Sequence, residues 1–306
     1  MAHRSLPNIS SPTDFRILAR LFFIHLRLNF QILLAPIFLW GFYLAGGQPN
    51  PQFWLAFMAF HGFLYGGATV YNSYYDRDEG PVGGLEHPPP VVSALLPLSL
   101  IWQSVGLVLA LWVNFTVGLI YGLIFALFTA YSHPRSRLKG RPIIGLLTVA
   151  LGQGVLAAGG GWAVADPHFE ALYALGVVAV LAAATFTTGF YPITQIYQVD
   201  EDLARGDLTF AAWAGPADTF VFGLVTMTLA VGVLAVVFFW LFGFGQMLLL
   251  SLFCLGWLAM IGRWAITYDA GQVLANYRYV MRLYRLMTLG FLGFLCLHLF
   301  NLWPLS

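Results

Sequence analysis

Apolar runs of membrane-crossing length, separated by short polar breaks, make up almost the whole chain. Crossing ~30 Å of hydrocarbon takes about 20 residues in a helix. Nine stretches meet that length: 17–46, 53–75, 91–113, 115–133, 143–165, 169–197, 217–242, 245–262 and 286–303. Helix breakers fall between them, as in "GGQPNPQ" at 46–52, "ADPHFE" at 165–170 and "FGFG" at 242–245. The narrowest break is at 113–115. The pattern predicts an all-α integral membrane protein of nine transmembrane helices. It forms a single domain over 1–306, with an N-terminal half at about 12–133 and a C-terminal half at about 143–303.

Charge tests that count. Only 9% of the 306 residues are charged and 59% are hydrophobic, so lipid is the natural solvent. If the N-terminus is cytoplasmic, all 14 basic residues fall on one side. Arg4, Arg16, Arg20 and Arg27 lie in the tail or first helix, and Arg77 lies in the second loop. Arg135, Arg137, Lys139 and Arg141 share the fourth loop, Arg205 the sixth, and Arg263, Arg278, Arg282 and Arg285 the eighth. The positive-inside rule predicts this asymmetry, and an error of one helix would scatter the charges. A net charge of +1 excludes a nucleic-acid partner. Cys254 and Cys296 show no CxxC spacing and are expected to be packing residues. The first residues lack an apolar signal-peptide core. The short loops suit a bacterial inner membrane.

Eleven of the 13 acids share the basic side, and only Asp166 and Glu170 lie opposite. Asp14, Asp218 and Asp269 read as a solvated rim. Two clusters do not: "YNSYYDRDEG" at 71–80 and "YQVDEDLARGDLT" at 197–209. Each begins where a transmembrane stretch ends. Asn72 and Asp76 are four apart, as are Gln198 and Asp202, so on a helix each pair shares a face. Spans two to four and six to eight thus look like two copies of one unit, and facing copies would bring Asp76 and Asp202 together over a central cavity. Carboxylates near lipid cost roughly 2.5–3.5 kcal/mol each on insertion scales and usually have a partner or a job. Oxygen donors without a His or Cys cluster suit Mg²⁺ and phosphate and argue against zinc. A ligand fitting such a station beside a greasy chamber is an amphiphile with a diphosphate head and a hydrocarbon tail.

At these residues the chain resembles the UbiA superfamily of intramembrane prenyltransferases. That family carries NDxxDxxxD and DxxxD motifs on loops 2–3 and 6–7. "NSYYDRDEG" matches the first at Asn72 and Asp76, with Ser73 and Gly80 in place of two Asp residues. "QVDED" matches the second at Asp202, with Gln198 replacing the leading Asp. "GDLTFA" at 206–211 is similar to the family's Gly-x-x-Thr-x-Ala tail, and "YSHPRSRLKG" at 131–140 to its Tyr-Ser…Pro…Lys loop. Asp78 and Glu79, and Asp200, Glu201 and Asp207, stand near enough to compensate for the replacements.

The resemblance implies a UbiA-like bundle around a central cavity, in which an isoprenoid chain passes from a prenyl diphosphate to a lipophilic or aromatic acceptor. It implies Mg²⁺ held by Asn72, Asp76, Asp78, Asp200 and Asp202, with Asp76 and Asp202 catalytic. Asn72, Tyr131, Arg135, Arg137 and Lys139 are then expected to meet the diphosphate. Two other readings stay open: a terpene cyclase of the same fold, and a noncatalytic prenyl-lipid-binding component with a degenerate site. His61 and His298 are expected to be neutral packing residues. Gly66–Gly67 and Gly159–Gly161 are expected at close helix crossings. "GPVGG" at 80–84 is a possible lid hinge, and 263–285 reads as an interfacial amphipathic helix.

Overall fold

The computed structural model describes residues 12–300 and 302, with side chains from Phe15 onward. Arg4, the side chain of Asp14 and the end of the ninth predicted span lie outside the described residues. Among the described residues nine helical stretches are long and apolar enough to cross a membrane. They run Phe15–Leu44, Pro51–Asp76, Leu95–Val113, Phe115–Ser132, Pro142–Ala165, Ala174–Arg205, Phe210–Phe242, Phe244–Thr267 and Val273–Leu299. Large side chains point outward all along them, among them Trp112 at 78% and Trp240 at 71% exposure. A water-soluble surface would not carry such a belt, so these faces meet lipid.

The first span is broken. A helix over Pro12–Leu26 stops at Arg27, whose φ of 49° lies in the left-handed region, and a straight helix resumes over Ala35–Leu44. The break turns Arg27 inward, and that arginine is buried. The second span starts on a local signal: the Asn50 carboxamide accepts the Phe53 N–H at 2.8 Å, with Pro51 in the first turn. It ends at Asp76, where Arg77 takes a φ of 52°.

Glycine sets one close crossing. The helices Ala35–Leu44 and Ala157–Ala165 approach so nearly that a Cβ on Gly161 would overlap the Phe38 carbonyl, and one on Gly41 would overlap that of Ala158. Aromatics fill the middle. Trp40 stacks on Phe238 with centroids 5.4 Å apart and donates its indole N–H to the Ala179 carbonyl at 3.2 Å. Inside the second span, His61 Nδ1 sits 3.2 Å from the Gln31 carbonyl, as a buried packing group.

Several boundaries differ from the pattern. The helix of span six begins at Ala174 rather than 169, because the Asp166 carboxylate gathers the Glu170 and Ala171 N–H groups into a loop. Span seven begins at Phe210 rather than 217. Its break is internal, at Gly215 (φ 77°) and Pro216, where the proline removes a backbone donor. The stretch 263–285 is not a separate interfacial helix. Its first residues end span eight at Thr267, and from Val273 it is continuous with span nine. Asn276, Tyr277, Val280, Met281 and Leu283 bury one face of that helix against the bundle, which holds it upright.

Candidate active site at the joined helix ends

The ends of spans two and six, with the loops that follow spans two and four, close around a cavity of about 220 Å³. Asn72 and Asp76 line it from one side and Gln198 and Asp202 from the other. The two amide–carboxylate pairs therefore face one space, one pair from each half of the chain. A second cavity of about 120 Å³ adjoins it. Six residues wall both: Leu34, Tyr65, Gln153, Thr187, Phe190 and Tyr284. Beyond them the inner chamber is apolar, closed by Ile37, Leu234, Leu250 and Phe291 among others.

Local helix geometry explains the charge partners. Asp76 is the last residue of its helix, where the exposed carbonyl ends disfavour an anion. It is held by Lys139, which is itself buried, and by Arg137 Nη2 at 3.3 Å from Oδ1. Both cations come from the loop after span four, where Arg137 adopts a φ of 35°. Arg137 also forks onto Asp207, with Nε 2.5 Å from Oδ1 and Nη2 2.6 Å from Oδ2. Asp202 lies in the first turn of the short helix Val199–Arg205, where helix polarity favours a carboxylate. Its Oδ1 meets Arg205 Nη2 at 2.6 Å, and its Oδ2 accepts from the Thr209 hydroxyl at 3.3 Å. Arg205 Nη1 reaches across to Asp78 Oδ1 at 2.5 Å. One arginine thus ties the two acidic segments together.

Asp78 stands in the loop beyond span two, with a 3% exposed side chain. Burial lifts its carboxyl above the ordinary carboxylate range, and the charge of Asp76 adds to the lift. Arg205 and Arg27 oppose it. Its Oδ2 is buried without a hydrogen-bond partner. The loop carries the "GPVGG" stretch, and Val82 and Gly83 line the cavity. Besides Arg205 on Asp78, the loop is fastened by the Glu79 N–H, which donates to Glu201 Oε1 at 2.8 Å, by Arg27 Nη1 on the Gly83 carbonyl at 3.3 Å, and by Arg278, which forks onto Glu86 at 2.8–2.9 Å.

The expected site residues divide cleanly. Asn72, Asp76, Asp78, Asp202, Lys139 and Tyr131 line the cavity. Tyr131 shares a short hydrogen bond with the Tyr191 hydroxyl, and Asn72 Nδ2 donates to Ser132 Oγ at 3.0 Å. Arg137 stands one layer behind, on Asp76. Asp200 and Arg135 are exposed and outside the lining, as is the Glu79 side chain. Two lining residues escaped the sequence reading. Arg205 had a signal in its helical spacing from Glu201 and Asp202. Arg27 had one as the last basic residue inside an apolar span, the kind of intramembrane charge that points to a site.

The UbiA prenyltransferase family model matches residues 34–286. Solved structures share the fold. A UbiA homolog from Archaeoglobus fulgidus bound to GPP and Mg²⁺ superposes with a TM-score of 0.63 at 17% identity, over 89% of this chain and 99% of that one. An apo UbiA homolog from Aeropyrum pernix K1 gives 0.61 at 22% identity, over 87% and 98%. A structure concerned with digeranylgeranylglyceryl phosphate synthase gives 0.61 at 16% identity, over 90% and 97%. No curated protein matches the chain by sequence. With its nine spans, its paired acidic helix ends and a family match over most of its length, this chain belongs to the UbiA prenyltransferase family.

Proposed function

We propose that the chain is an intramembrane prenyltransferase that moves an isoprenoid chain from a prenyl diphosphate to a lipophilic or aromatic acceptor. One observation carries the reading: a charged cavity adjoins an apolar chamber, with six wall residues common to both. That shape fits an amphiphile with an anionic head and a hydrocarbon tail. The A. fulgidus structure with GPP and Mg²⁺ supports the reading by analogy of fold.

The oxygen donors at the cavity bear on whether magnesium fits. Among the described residues no three carboxylates, imidazoles or thiolates form a ready ligand cluster. Asp78, whose Oδ2 is buried and unpartnered, nevertheless lines the cavity together with Asp76, Asp202 and Asn72. These are hard oxygen donors, suited to an ion that takes one or two carboxylates and fills its remaining positions with phosphate oxygens and water. Asn72, Asp76, Asp78 and Asp202 would hold it, without the exposed Asp200. Bound there, the ion would stabilise charge on the leaving diphosphate.

The rest of the mechanism falls to the chain. The allylic C–O bond breaks, and its electron pair leaves with the diphosphate, which Lys139 meets as a compact cation. The carbon cation bonds to a nucleophilic atom of the acceptor, which then loses a proton. The apolar walls exclude water that would capture the cation first, and the aromatic faces of Tyr65, Phe190 and Tyr284 can stabilise its charge.

A second reading has its own support. Asp76, Asp78 and Asp202 are each engaged by a lysine or arginine, which suits a noncatalytic binder of prenyl lipids. One assay separates them: purified protein in detergent with Mg²⁺, geranyl to geranylgeranyl diphosphates and candidate acceptors, followed by mass spectrometry of the organic phase. Transfer predicts an acceptor adduct with equimolar pyrophosphate. Tight binding with unchanged substrate supports the binder, and a cyclic hydrocarbon would mean a cyclase.

A further inference from the structure

The charges lining the outer cavity balance. Asp76, Asp78 and Asp202 supply three negative groups, and Arg27, Lys139 and Arg205 supply three positive ones. Two of the cations are spoken for: Lys139 on Asp76, and Arg205 on Asp78 and Asp202. Arg27 is different. Its Nη2 donates to the Ser73 hydroxyl at 2.6 Å and its Nη1 to the Gly83 carbonyl at 3.3 Å, both neutral acceptors. Its Nε is buried with no hydrogen-bond partner. Among the described residues it has no carboxylate within 4 Å, although it is only 7% exposed.

A buried cation without a direct counter-ion is strongly destabilising unless something compensates it, and here Asp78 and Asp76 act on Arg27 only from beyond ion-pair distance. Arg27 also occupies left-handed backbone, a conformation costly for a residue with a Cβ. Both costs fall on a side chain that lines the charged cavity. An anion entering that cavity would relieve the first, and the guanidinium fork suits phosphate oxygens.

Resting on the prenyl diphosphate reading, we infer that Arg27 is a direct ligand of the diphosphate. Unlike Lys139 and Arg205, which face carboxylates, it offers positive charge that a site made only of carboxylates would have to draw from metal ions. The head group is therefore held in part by a protein cation, and its binding survives removal of divalent metal. Arg27 reaches this position only because the first span breaks beneath it.

The test is calorimetry of inorganic pyrophosphate binding to the purified, detergent-solubilised chain, in excess EDTA and in Mg²⁺. The inference predicts binding in EDTA within about tenfold of that in Mg²⁺. Arg27→Gln should weaken the EDTA-phase binding by about tenfold to a hundredfold, the usual range for a hydrogen bond to a charged group. Arg27→Lys should recover part of it. Ser73→Asp keeps the guanidinium but sets a carboxylate against it, and should make binding strictly metal-dependent. That variant decides the matter if Arg27→Gln fails to fold. Binding only in Mg²⁺ overturns the inference and leaves prenyl transfer standing. Undiminished binding by folded Arg27→Gln also overturns it. Binding under neither condition overturns both.

Discussion

Asp76 ends its helix against the local dipole and lies beside two cations from another loop, so its removal should act in two ways. Asp76→Ala should slow diphosphate release from an allylic substrate by at least about a hundredfold, the scale set by losing a preorganised electrostatic group. It should also strand Lys139. The double variant Asp76→Ala/Lys139→Ala should therefore lose less thermal stability than the two single losses added together, with a coupling of about 0.5–3 kcal/mol. Strictly additive melting shifts would mean that the pair is not a structural unit. Asp200→Ala and Arg135→Ala should cost no more than about tenfold in the same release assay, since charges outside the cavity act at a distance through solvent. At this scale the sequence was partly legible. Helical spacing was enough to put Asn72 with Asp76, and Gln198 with Asp202. It could not tell Asp78, folded inward, from the exposed Asp200, because one depends on how the loop turns after Asp76 and the other on which face of the helix Val199–Arg205 packs inward. Arg27 was hidden for a different reason: an arginine on the side where the basic residues gather already has an explanation in the charge asymmetry, and only the break at its own backbone shows that it points inward.

Breaks and caps decide where the functional segments lie. Span seven was read from 217 because Gly215–Pro216 interrupts the pattern, yet helix resumes on both sides of that kink. Thr209 starts the segment. Its hydroxyl accepts the Ala212 N–H at 3.3 Å while also donating to Asp202. Thr209→Ala should cost about 1 kcal/mol from the lost cap alone, and Thr209→Ser should restore it, measured by thermal melting in detergent. The loop after span two behaves as a fastened element. Glu201→Ala removes the acceptor of the Glu79 N–H, and should speed proteolytic cleavage within residues 77–94 while leaving the spans intact. Unchanged cleavage would show that the remaining ties, Arg278 on Glu86, Arg205 on Asp78 and Arg27 on the Gly83 carbonyl, hold the loop without it. At the crossing of spans one and five, Gly161→Val has no room beside the Phe38 carbonyl, and should lower the yield of folded protein through overpacking of about 1–3 kcal/mol or more. The glycine run at 159–161 announced a close crossing, but the partner helix could not be read from sequence.

Across the whole molecule, the number of spans was the most legible feature, because a nine-helix bundle must meet lipid with apolar residues along every span. The merged eighth loop and ninth span were not, since Arg278, Arg282 and Arg285 resemble a surface helix until the bundle packs against the opposite face. We propose that the acidic helix ends lie on the cytoplasmic side, where the basic residues gather, and this predicts a labelling pattern. In a variant with Cys254 and Cys296 replaced by serine, a cysteine at Ser136 should react with a membrane-impermeant thiol reagent only after the membrane is opened. One at His168 should react in intact cells. The central claim is that both halves of the chain close on one diphosphate. Its most direct test is an experimental structure of the protein with Mg²⁺ and a non-ionising thiolo analogue of a prenyl diphosphate. The account predicts phosphate density between Asp76 and Asp202, with the tail running past Tyr65, Phe190 and Tyr284 into the inner chamber. Density for the analogue elsewhere, with that cavity filled only by the paired side chains, would contradict it.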